Sequence, residues 1–390
     1  MISVTEALER LFALVDPLDS ETVPLRQARN RVMSRPVAAF RDQPPFAASA
    51  MDGYAIADDA APGASFRVIG ESAAGARFQG RVGLGEAVRI FTGAPLPTGA
   101  DRVVIQENAV RDGQTVTFTE RAEPGRNIRP SGGDFHKDDT HFPRRALNPA
   151  DIALLAAMGA GAVPVTRKPQ VALIATGDEL VAPGEAAGPD QIFASNTYGL
   201  AAMFEASGCI ANMVPIARDD AASMNGAFDL ARGADLVVTV GGASVGDHDL
   251  VAGIAAQRGM VPAFHKVAMR PGKPLMAGRI DGAPMIGLPG NPVSAMICGI
   301  LFVLPVLRVL QGLPAGPAPR FNARLATEID ANGDREHYMR ATNGADGIQP
   351  FDRQDSSLLR ILSDADALLV RPPHDPPRGI GETVECIAIA

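Results

Sequence analysis

The sequence predicts a multidomain α/β plus β protein. A central parallel α/β domain is accompanied by a helical domain, an inserted β module and a small C-terminal β-barrel domain. Three observations predict this class. The chain has 390 residues, which is too long for one ordinary hydrophobic core. Strand-like and helix-like runs alternate from about residue 168 to residue 313, whereas short β runs dominate on both sides. The 40 glycines and 32 prolines predict the many turns that short-stranded β regions require.

The composition excludes several kinds of partner. Hydrophobic residues make up 46% of the chain and charged residues 21%, as in folded soluble proteins. The formal net charge of −8 argues against nucleic acid or an anionic membrane as the main partner. An anionic substrate would therefore need a local positive pocket. Two of the four lysines fall close together in HKVAMRPGKP, which makes that stretch a candidate.

The cysteines and the two most apolar stretches predict a reduced, cytoplasmic protein. Cys209, Cys298 and Cys386 lie far apart, without a CxxC pattern, so neither a disulfide framework nor a structural zinc is expected. The N-terminal MISVTEALERLFALV predicts an amphipathic helix and lacks the basic region and cleavage site of a signal peptide. The run AMICGILFVLPVL is shorter than the ~20 residues that cross a bilayer, which predicts a buried core helix.

Changes of pattern along the chain predict four domains. NPADIALLAAMG predicts a helix with Asn148 as N-cap and Pro149 as its first residue. We expect this helix to pack on the N-terminal helix, which would make the β module an insertion in a helical domain. The predicted domains are residues 1–40 with 135–167 (helical), 41–134 (β module), 168–314 (α/β) and 315–390 (C-terminal β).

Chemically reactive side chains follow each strand-like run of the α/β region. In an open parallel sheet, ligands bind outside the carboxyl ends of the strands. Five runs therefore converge on one predicted site. VALIAT precedes Asp178 and Glu179, MVPIA precedes Arg218, Asp219 and Asp220, LVVTV precedes GGASVGDHD, HKVAM precedes RPGKP, and MIGL precedes PGNPVS.

These residue types suit an anion held together with a divalent cation. Glycines let backbone N–H groups approach negative charge, and the helix start in PGNPVSA forms a seat for a phosphate or an oxyanion. Arg270 and Lys273 would add positive charge. Glu179, Asp219 and Asp249 are three hard oxygen ligands that suit Mg²⁺.

Each feature taken singly also has a purely structural explanation. Glycines after strands commonly form turns, Asp at a helix start is commonly a cap, and a lone lysine is usually a solvated surface charge. His248 beside Asp249 invites an acid–base role, but no nucleophile is suitably spaced. The chain has no GxGxxG opening a βαβ unit, no GxxxxGK[ST] and no GxSxG elbow. The functional interpretation depends on the convergence of five strand ends.

The chain resembles the MoeA family of molybdopterin molybdenumtransferases, whose animal relative is the E domain of gephyrin. The resemblance implies four domains with a MogA-like α/β domain, an elongated homodimer, and insertion of molybdate into adenylylated molybdopterin with release of AMP. Mg²⁺ would assist. The motifs that carry the resemblance are SAMDGYA, RIFTGAPLPTGAD, NIRPSGGD, TGDEL, GGASVGDHD and RPGKPL with GLPGNPVSA, and more weakly GDREHYMRA and RQDSSLLR.

The resemblance also implies roles for particular residues. Asp249, Asp219 and Glu179 would handle Mg²⁺ and the adenylylated phosphate. Asp52 and Thr92 of the β module would act on the partner subunit's α/β domain. The residues expected to bind substrate or molybdate are Gly241, Gly242, Ser244, Gly246, Arg270, Lys273, Pro289, Asn291, Pro292, Ser294, Arg340 and Ser357. Implied partners are an upstream molybdopterin-adenylylating enzyme and downstream molybdoenzymes or cofactor carriers, with neither nucleic acid nor membrane.

Three departures from the family pattern and three competing hypotheses remain. Arg270 replaces a common lysine, SGGD replaces a more acidic variant before Asp134, and Leu250 replaces a frequent aromatic residue. The competing hypotheses are the sister enzyme that adenylylates molybdopterin, a clustering scaffold like gephyrin, and a paralogue of altered activity or metal. Molybdate and tungstate have the same shape and charge, so the sequence does not separate them.

Overall fold

A computed structural model describes residues 1–242 and 250–389 of the chain. The chain begins with helix α1 (Val4–Phe12), whose N-cap Ser3 accepts a hydrogen bond from the Glu6 N–H at 3.1 Å. Short strands then follow to residue 141. They are β1 (Ser20–Pro24), β2 (Val37–Ala38), β3 (Ala48–Ser49), β4 (Gly53–Ile56), β5 (Ser65–Ser72), β6 (Glu86–Ile90), β7 (Arg102–Ile105), β8 (Ala109–Asp112), β9 (Thr115–Phe118), β10 (Ile128–Arg129) and β11 (Thr140–His141). Two 3₁₀ turns, Leu25–Gln27 and Gln106–Asn108, interrupt them.

Six of these strands form the sheet of the β module, in the order β7-β4-β6-β5-β9-β8. β4 is buried along its whole length between β6 and β7. Tyr54, Phe66 and Phe118 form an aromatic core on the sheet, with ring centroids 5.2 to 6.1 Å apart. The module therefore has a hydrophobic core of its own.

The segment after the β module returns to the N-terminal strands. Helix α2 (Pro149–Ala157) begins at Asn148, which forms a capping box with Asp151, so the predicted cap is confirmed. β12 (Ala162–Thr166) pairs antiparallel with β1 along five residues, and β11 pairs with β2. Within residues 1–40, only Val4–Phe12 forms an α-helix, and short strands, a 3₁₀ turn and loops follow it.

The predicted packing of α2 on α1 is wrong. α1 buries Val4, Leu8 and Leu11 in the core of the α/β domain, whereas Leu155 of α2 packs in a separate core with Val163 and Val165. The reason is that the β1–β12 pairing gives α2 a nearby apolar surface. The apolar stripe of α1 is covered instead by the α/β domain.

The α/β region contains nine strands and five helices among the described residues. They are β13 (Gln170–Ala175), β14 (Leu180–Val181), β15 (Ile192–Phe193), α3 (Ser195–Ala206), β16 (Ile210–Met213), α4 (Ala221–Leu230), β17 (Leu236–Val240), α5 (Leu250–Gln257), β18 (Val261–Lys266), β19 (Met269–Arg270), β20 (Pro274–Ile280), β21 (Ala283–Leu288), α6 (Pro292–Cys298) and α7 (Leu304–Leu310).

The central sheet is mixed, and the prediction of a parallel sheet holds for only part of it. Its order is β16-β13-β17-β21-β20-β18. The first four strands are parallel, but β20 is antiparallel to both neighbours. The turn at Asp281 and Gly282, both with positive φ, reverses the chain between β20 and β21. β18 consequently runs in the same direction as β21, so all five predicted strand ends still meet at one edge.

The most apolar helical segment is longer than the sequence suggested. Residues Pro292–Leu310 form one continuous segment of 19 residues with mean hydropathy 2.4, long enough by length and composition to cross a membrane. A π-helical turn at Gly299–Val303 joins α6 to α7. Of its apolar window, 83% is buried. The segment is a core helix, as predicted, although not because it is short.

The C-terminal region forms a curled sheet over one end of the α/β domain. Its order is β19-β23-β25-β26-β22, with β24 on β23, and a bridge between Leu325 and Ile348 brings β22 to β24. β19 comes from the α/β region and adds to this sheet beside β23. The new elements are β22 (Phe321–Arg324), β23 (Glu336–Gly344), β24 (Gly347–Pro350), α8 (Leu359–Ser363), β25 (Ala367–Arg371) and β26 (Thr383–Ala388).

Candidate ligand cleft

A cleft of about 1190 Å³ opens at the carboxyl edge of the central sheet. Ser357 of the C-terminal region also lines it, so two parts of the chain meet at its wall. Ile192 and Phe193 are 58% and 49% exposed on its border, so they add apolar surface to the cleft. The predicted site residues that line the cleft are Glu179, Asp219, Gly241, Gly242, Pro289, Asn291, Pro292 and Ser357.

Glu179 and Asp219 lie on two turns that are bonded to each other. The Asp219 N–H donates to Asp178 Oδ1 at 3.0 Å. Arg218 Nη1 donates to the carbonyl oxygens of Gly177, Asp178 and Leu180 at 3.3, 3.1 and 2.9 Å. These contacts keep the turn after β13 and the turn after β16 side by side.

The glycines after β17 serve close packing. A Cβ on Gly241 would lie 2.8 Å from both the carbonyl oxygen and the hydroxyl of Thr176, and its φ is +98°. A Cβ on Gly242 would lie 2.3 Å from Val251 Cγ2. The N–H of Gly241 donates to the Leu288 carbonyl at 3.2 Å, so this N–H continues the sheet. Ser244, Gly246 and Asp249, together with His248, lie outside the described residues.

The helix start after β21 borders the cleft. Asn291 occupies the N-cap position of α6 and Pro292 the first turn, yet the Asn291 side chain makes no capping hydrogen bond. Ser294 is buried. Asn196, from the first turn of α3, donates to the Gly290 carbonyl at 2.7 Å and thereby fixes the approach to the helix.

The loop that carries Ser357 is held by a buried arginine. Arg340 is 1% exposed. It donates to Gln354 Oε1 at 3.2 Å and to the carbonyl oxygens of Leu358 and Arg353 at 3.3 and 3.4 Å. Burial lowers the pKa of the Arg340 guanidinium. Arg340 is not among the residues that line the cleft. Its side-chain hydrogen bonds in the described structure go to the loop that carries Ser357.

The same loop contacts the start of α6. The Val293 N–H donates to the Ser356 carbonyl at 3.0 Å. Ser357 donates to Asp355 Oδ1 from its hydroxyl at 2.6 Å and from its N–H at 2.8 Å. These two bonds, the hydroxyl first, hold the pKa of Asp355 below its usual range. Ser357 therefore reaches the cleft from a loop anchored on both sides.

Arg270 and Lys273 are exposed and are not among the residues that line the cleft. Arg270 ends β19, where it pairs with His337 of β23. His337 in turn pairs with Arg371 of β25, so three basic side chains form a row across the C-terminal sheet. Burial, then the charge of Arg270 and further arginines, lowers the pKa of His337 to about 4. Arg270 thus lies at the junction of the α/β and C-terminal regions, and Lys273 follows three residues later, before β20.

Asp52 and Thr92 lie together in the β module. The Thr92 N–H and hydroxyl both donate to Asp52 Oδ1. Neither residue lines the cleft of its own chain. The structure therefore brings the two together as a pair, separate from the carboxylates of the cleft.

Two of the three predicted metal ligands lie at the cleft, and their chemistry is compatible with a divalent cation. Glu179 and Asp219 are exposed carboxylates on the border of the same cleft, and carboxylate oxygens are the ligands that Mg²⁺ prefers. Within residues 1–242 and 250–389, no group of three His, Cys, Asp or Glu side chains could hold a metal ion. Asp249, the third predicted ligand, lies outside the described residues.

Two side chains that line this cleft were not among the predicted site residues, and two more beside it had been placed at strand ends without a role. Arg218 and Asp178 follow strands in the sequence, but only the fold shows that they join two turns. Phe193 and Asn196 stand in QIFASNTYG. The only signal in this stretch is an aromatic residue shortly before a helix start. Side-chain direction, which the sequence does not show, decides all four.

The fold and the cleft define the class: a multidomain α/β protein with an open cleft at the carboxyl ends of its central sheet. Three family descriptions match the chain in order. They are the MoeA N-terminal region (domains I and II) at residues 2–159, a probable molybdopterin binding domain at 172–309, and the MoeA C-terminal region (domain IV) at 322–389.

Relatives and solved structures agree. The chain is 36% identical to a molybdopterin molybdenumtransferase of Nostoc sp., over 95% of this chain and 90% of that protein, and 35% identical to one of Haemophilus influenzae, over 98% of each. Two structures of the MoeA protein of Pyrococcus horikoshii superpose with TM-scores of 0.86 and 0.85 at 30% and 27% identity. They cover 100% of this chain and 99% and 100% of theirs. The chain belongs to the MoeA family. It is an enzyme, a transferase with a role in molybdenum cofactor biosynthesis.

Proposed function

We propose that this enzyme inserts molybdate into adenylylated molybdopterin and releases AMP, giving the molybdenum cofactor. One observation carries the proposal beyond family membership. Two carboxylates, two glycines, a helix start and a serine hydroxyl border a single cleft large enough for a pterin nucleotide. The exposed Phe193 ring offers a face for a planar heteroaromatic group.

The carboxylates would hold Mg²⁺ at the phosphoanhydride. Glu179 and Asp219 would supply two ligands and Asp249 the third. When bound, the ion neutralises charge that develops as the phosphoanhydride is cleaved. Arg218 and Asp178 would keep the two described carboxylates in place, so that the cost of ordering them is met before substrate arrives.

The junction beside the cleft would hold the oxyanion. Molybdate is a tetrahedral dianion, which favours cations and N–H or O–H donors. Lys273 and Arg270 would supply charge, and Ser294 would supply a hydroxyl donor. Ser357 would exchange its hydroxyl bond to Asp355 for one to the oxyanion. Arg340 would act by holding the loop that carries Ser357. The dithiolene of the substrate would finally bind the molybdenum. The three buried protein thiols would not be ligands of the molybdenum.

A homodimer would complete the site. Asp52 and Thr92 do not line the cleft of their own chain, and we propose that they reach the cleft of the second subunit. Mixing a D52A variant with an E179A variant tests this. Subunits that exchange should regain part of the activity, because one cleft in each mixed dimer has both groups intact. No recovery from a mixture shown to contain mixed dimers would contradict action across the dimer.

The decisive experiment is a single turnover with adenylylated molybdopterin, molybdate and Mg²⁺, following AMP and cofactor. We expect AMP release that depends on molybdate and that collapses in D219A and K273A. K168A is the matched control, since Lys168 is an exposed lysine before β13, at the opposite edge of the sheet. Binding of substrate without AMP release under molybdate, tungstate or another divalent ion would indicate a binding protein or a paralogue of altered activity.

The remaining expectations concern the cell. We propose a cytoplasmic protein that receives substrate from a molybdopterin-adenylylating enzyme and passes product to molybdoenzymes or cofactor carriers. Release of AMP from already adenylylated substrate separates it from the adenylylating sister enzyme, which would consume a nucleotide triphosphate. A primarily scaffolding role would leave cofactor yield unchanged on deletion of the chain.

A further inference from the structure

We infer that Arg218 and Asp178 are positioning residues for a divalent cation, holding Glu179 and Asp219 at a fixed separation. The inference rests on the proposed function, because that function places the ion at these two carboxylates. Neither Arg218 nor Asp178 lines the cleft. They act on the ligand carboxylates through the backbone that carries them.

Among residues 1–242 and 250–389, few other contacts keep the two turns in register. β16 is an edge strand of the sheet. The last backbone contact between β13 and β16 is the bridge between Thr176 and Ala217, where the Gly177 N–H donates to the Ala217 carbonyl at 3.1 Å. Beyond this point, the side chains of Arg218 and Asp178 make the connection.

The connection is reciprocal. Arg218 leaves the β16 turn and donates from one nitrogen to three carbonyl oxygens of the β13 turn, at Gly177, Asp178 and Leu180. Asp178 leaves the β13 turn and accepts the N–H of Asp219. Each turn thus orients the backbone that carries the other turn's carboxylate. Charge-assisted bonds of this kind are stronger than neutral ones.

The far side of the β16 turn is anchored as well. The Arg218 N–H donates to Ser223 Oγ at 2.8 Å, and Asp220 Oδ1 accepts the Ser223 N–H at 2.8 Å as the N-cap of α4. Asp219 therefore lies between a helix cap and the cross-turn bonds. Hydrogen bonds hold its backbone on both sides, and its side chain borders the cleft.

Direct titration with Mn²⁺ tests the inference without turnover. Loss of groups that orient metal ligands typically weakens binding by roughly 10- to 100-fold. We expect R218M to weaken Mn²⁺ binding by about this amount, and R218K to recover part of the affinity, since an ammonium still donates to carbonyl oxygens. D178A should weaken binding, whereas D178N should retain most of it, because the amide keeps an acceptor for the Asp219 N–H.

R167M is the matched control for loss of an arginine. Arg167 joins two segments at the opposite edge of the same sheet through a two-bond fork to Asp235, at 2.6 Å for each bond. R167M should lower Tm while Mn²⁺ affinity stays at the wild-type value. If R167M and R218M weaken Mn²⁺ binding equally, Arg218 stabilises the fold in general and does not position the carboxylates.

Two further variants separate the possible failures. E179Q and D219N should abolish Mn²⁺ binding at this site. If they do and folded R218M binds Mn²⁺ like the wild type, the positioning role is wrong while the metal assignment stands. If E179Q and D219N bind Mn²⁺ normally, the assignment of these carboxylates is wrong, and the inference about Arg218 falls with it.

Discussion

Thr92 donates two hydrogen bonds to a single oxygen of Asp52, from its N–H at 2.7 Å and from its hydroxyl at 2.8 Å. The N–H bond, followed by the hydroxyl bond, holds the pKa of Asp52 below its usual range, although burial opposes the shift slightly. Asp52 is consequently an ionised acceptor at neutral pH. Thr92 determines its orientation.

T92V should raise the pKa of Asp52 toward its ordinary value without abolishing the shift. Valine keeps the backbone N–H bond and the shape of the side chain but loses the hydroxyl bond. Carbon-13 NMR titration of the aspartate carboxyl groups measures the change. An Asp52 pKa identical in wild type and T92V would mean that the hydroxyl bond does not form in solution.

G241A should destabilise the protein and impair turnover. Alanine would need a positive φ and would place a methyl group against the Thr176 backbone, a combination that costs on the order of 1–3 kcal/mol. Denaturant unfolding measures the loss. G253A is the control on the same cleft, because Gly253 lies within α5 and its Cβ would meet nothing within 4 Å. It should be neutral or more stable, since alanine favours helix.

R340K should loosen the loop around Ser357. The guanidinium reaches several acceptors on that loop, whereas a lysine ammonium cannot reproduce the planar fork. We expect faster hydrogen exchange within residues 353–358 and a higher KM for molybdate, with the rest of the chain protected as before. Unchanged exchange in this loop would show that its own turn bonds suffice.

His337 should make stability depend on pH. Its folded pKa of about 4 lies below the unfolded value of ~6.5, so the unfolded chain takes up the proton first as pH falls. Stability is therefore unaffected above pH ~6.5 and declines between pH ~6.5 and pH ~4, by about 3 kcal/mol at most. H337Q should flatten this part of the stability profile. Equal profiles in wild type and H337Q would place the acid sensitivity elsewhere.

The convergence of side chains at one sheet edge was predictable from the sequence. Strand ends show as breaks in apolar runs, and the rule that ligands bind at carboxyl ends then brings Glu179 and Asp219 together without coordinates. The cap at Asn148 was also predictable, because an Asn-Pro pair before a helical run is a local signal for a helix start. The resemblance assigned both Asp52 and Thr92 to activity, but their hydrogen bonds to each other were not predicted, because 40 residues of chain separate the two.

The sequence by itself determined the family and the residue types at the ends of the strands, because motifs and apolar periodicity are properties of neighbouring residues. Only the tertiary structure decided that β20 runs antiparallel, that α1 packs on the α/β domain, that Arg270 ends a strand of the C-terminal sheet, and that Arg218 joins two turns. Each of these depends on strand register, chain reversal or side-chain direction. Such features arise from packing between segments far apart in the chain, which compete for the same apolar surface and the same hydrogen-bonding groups.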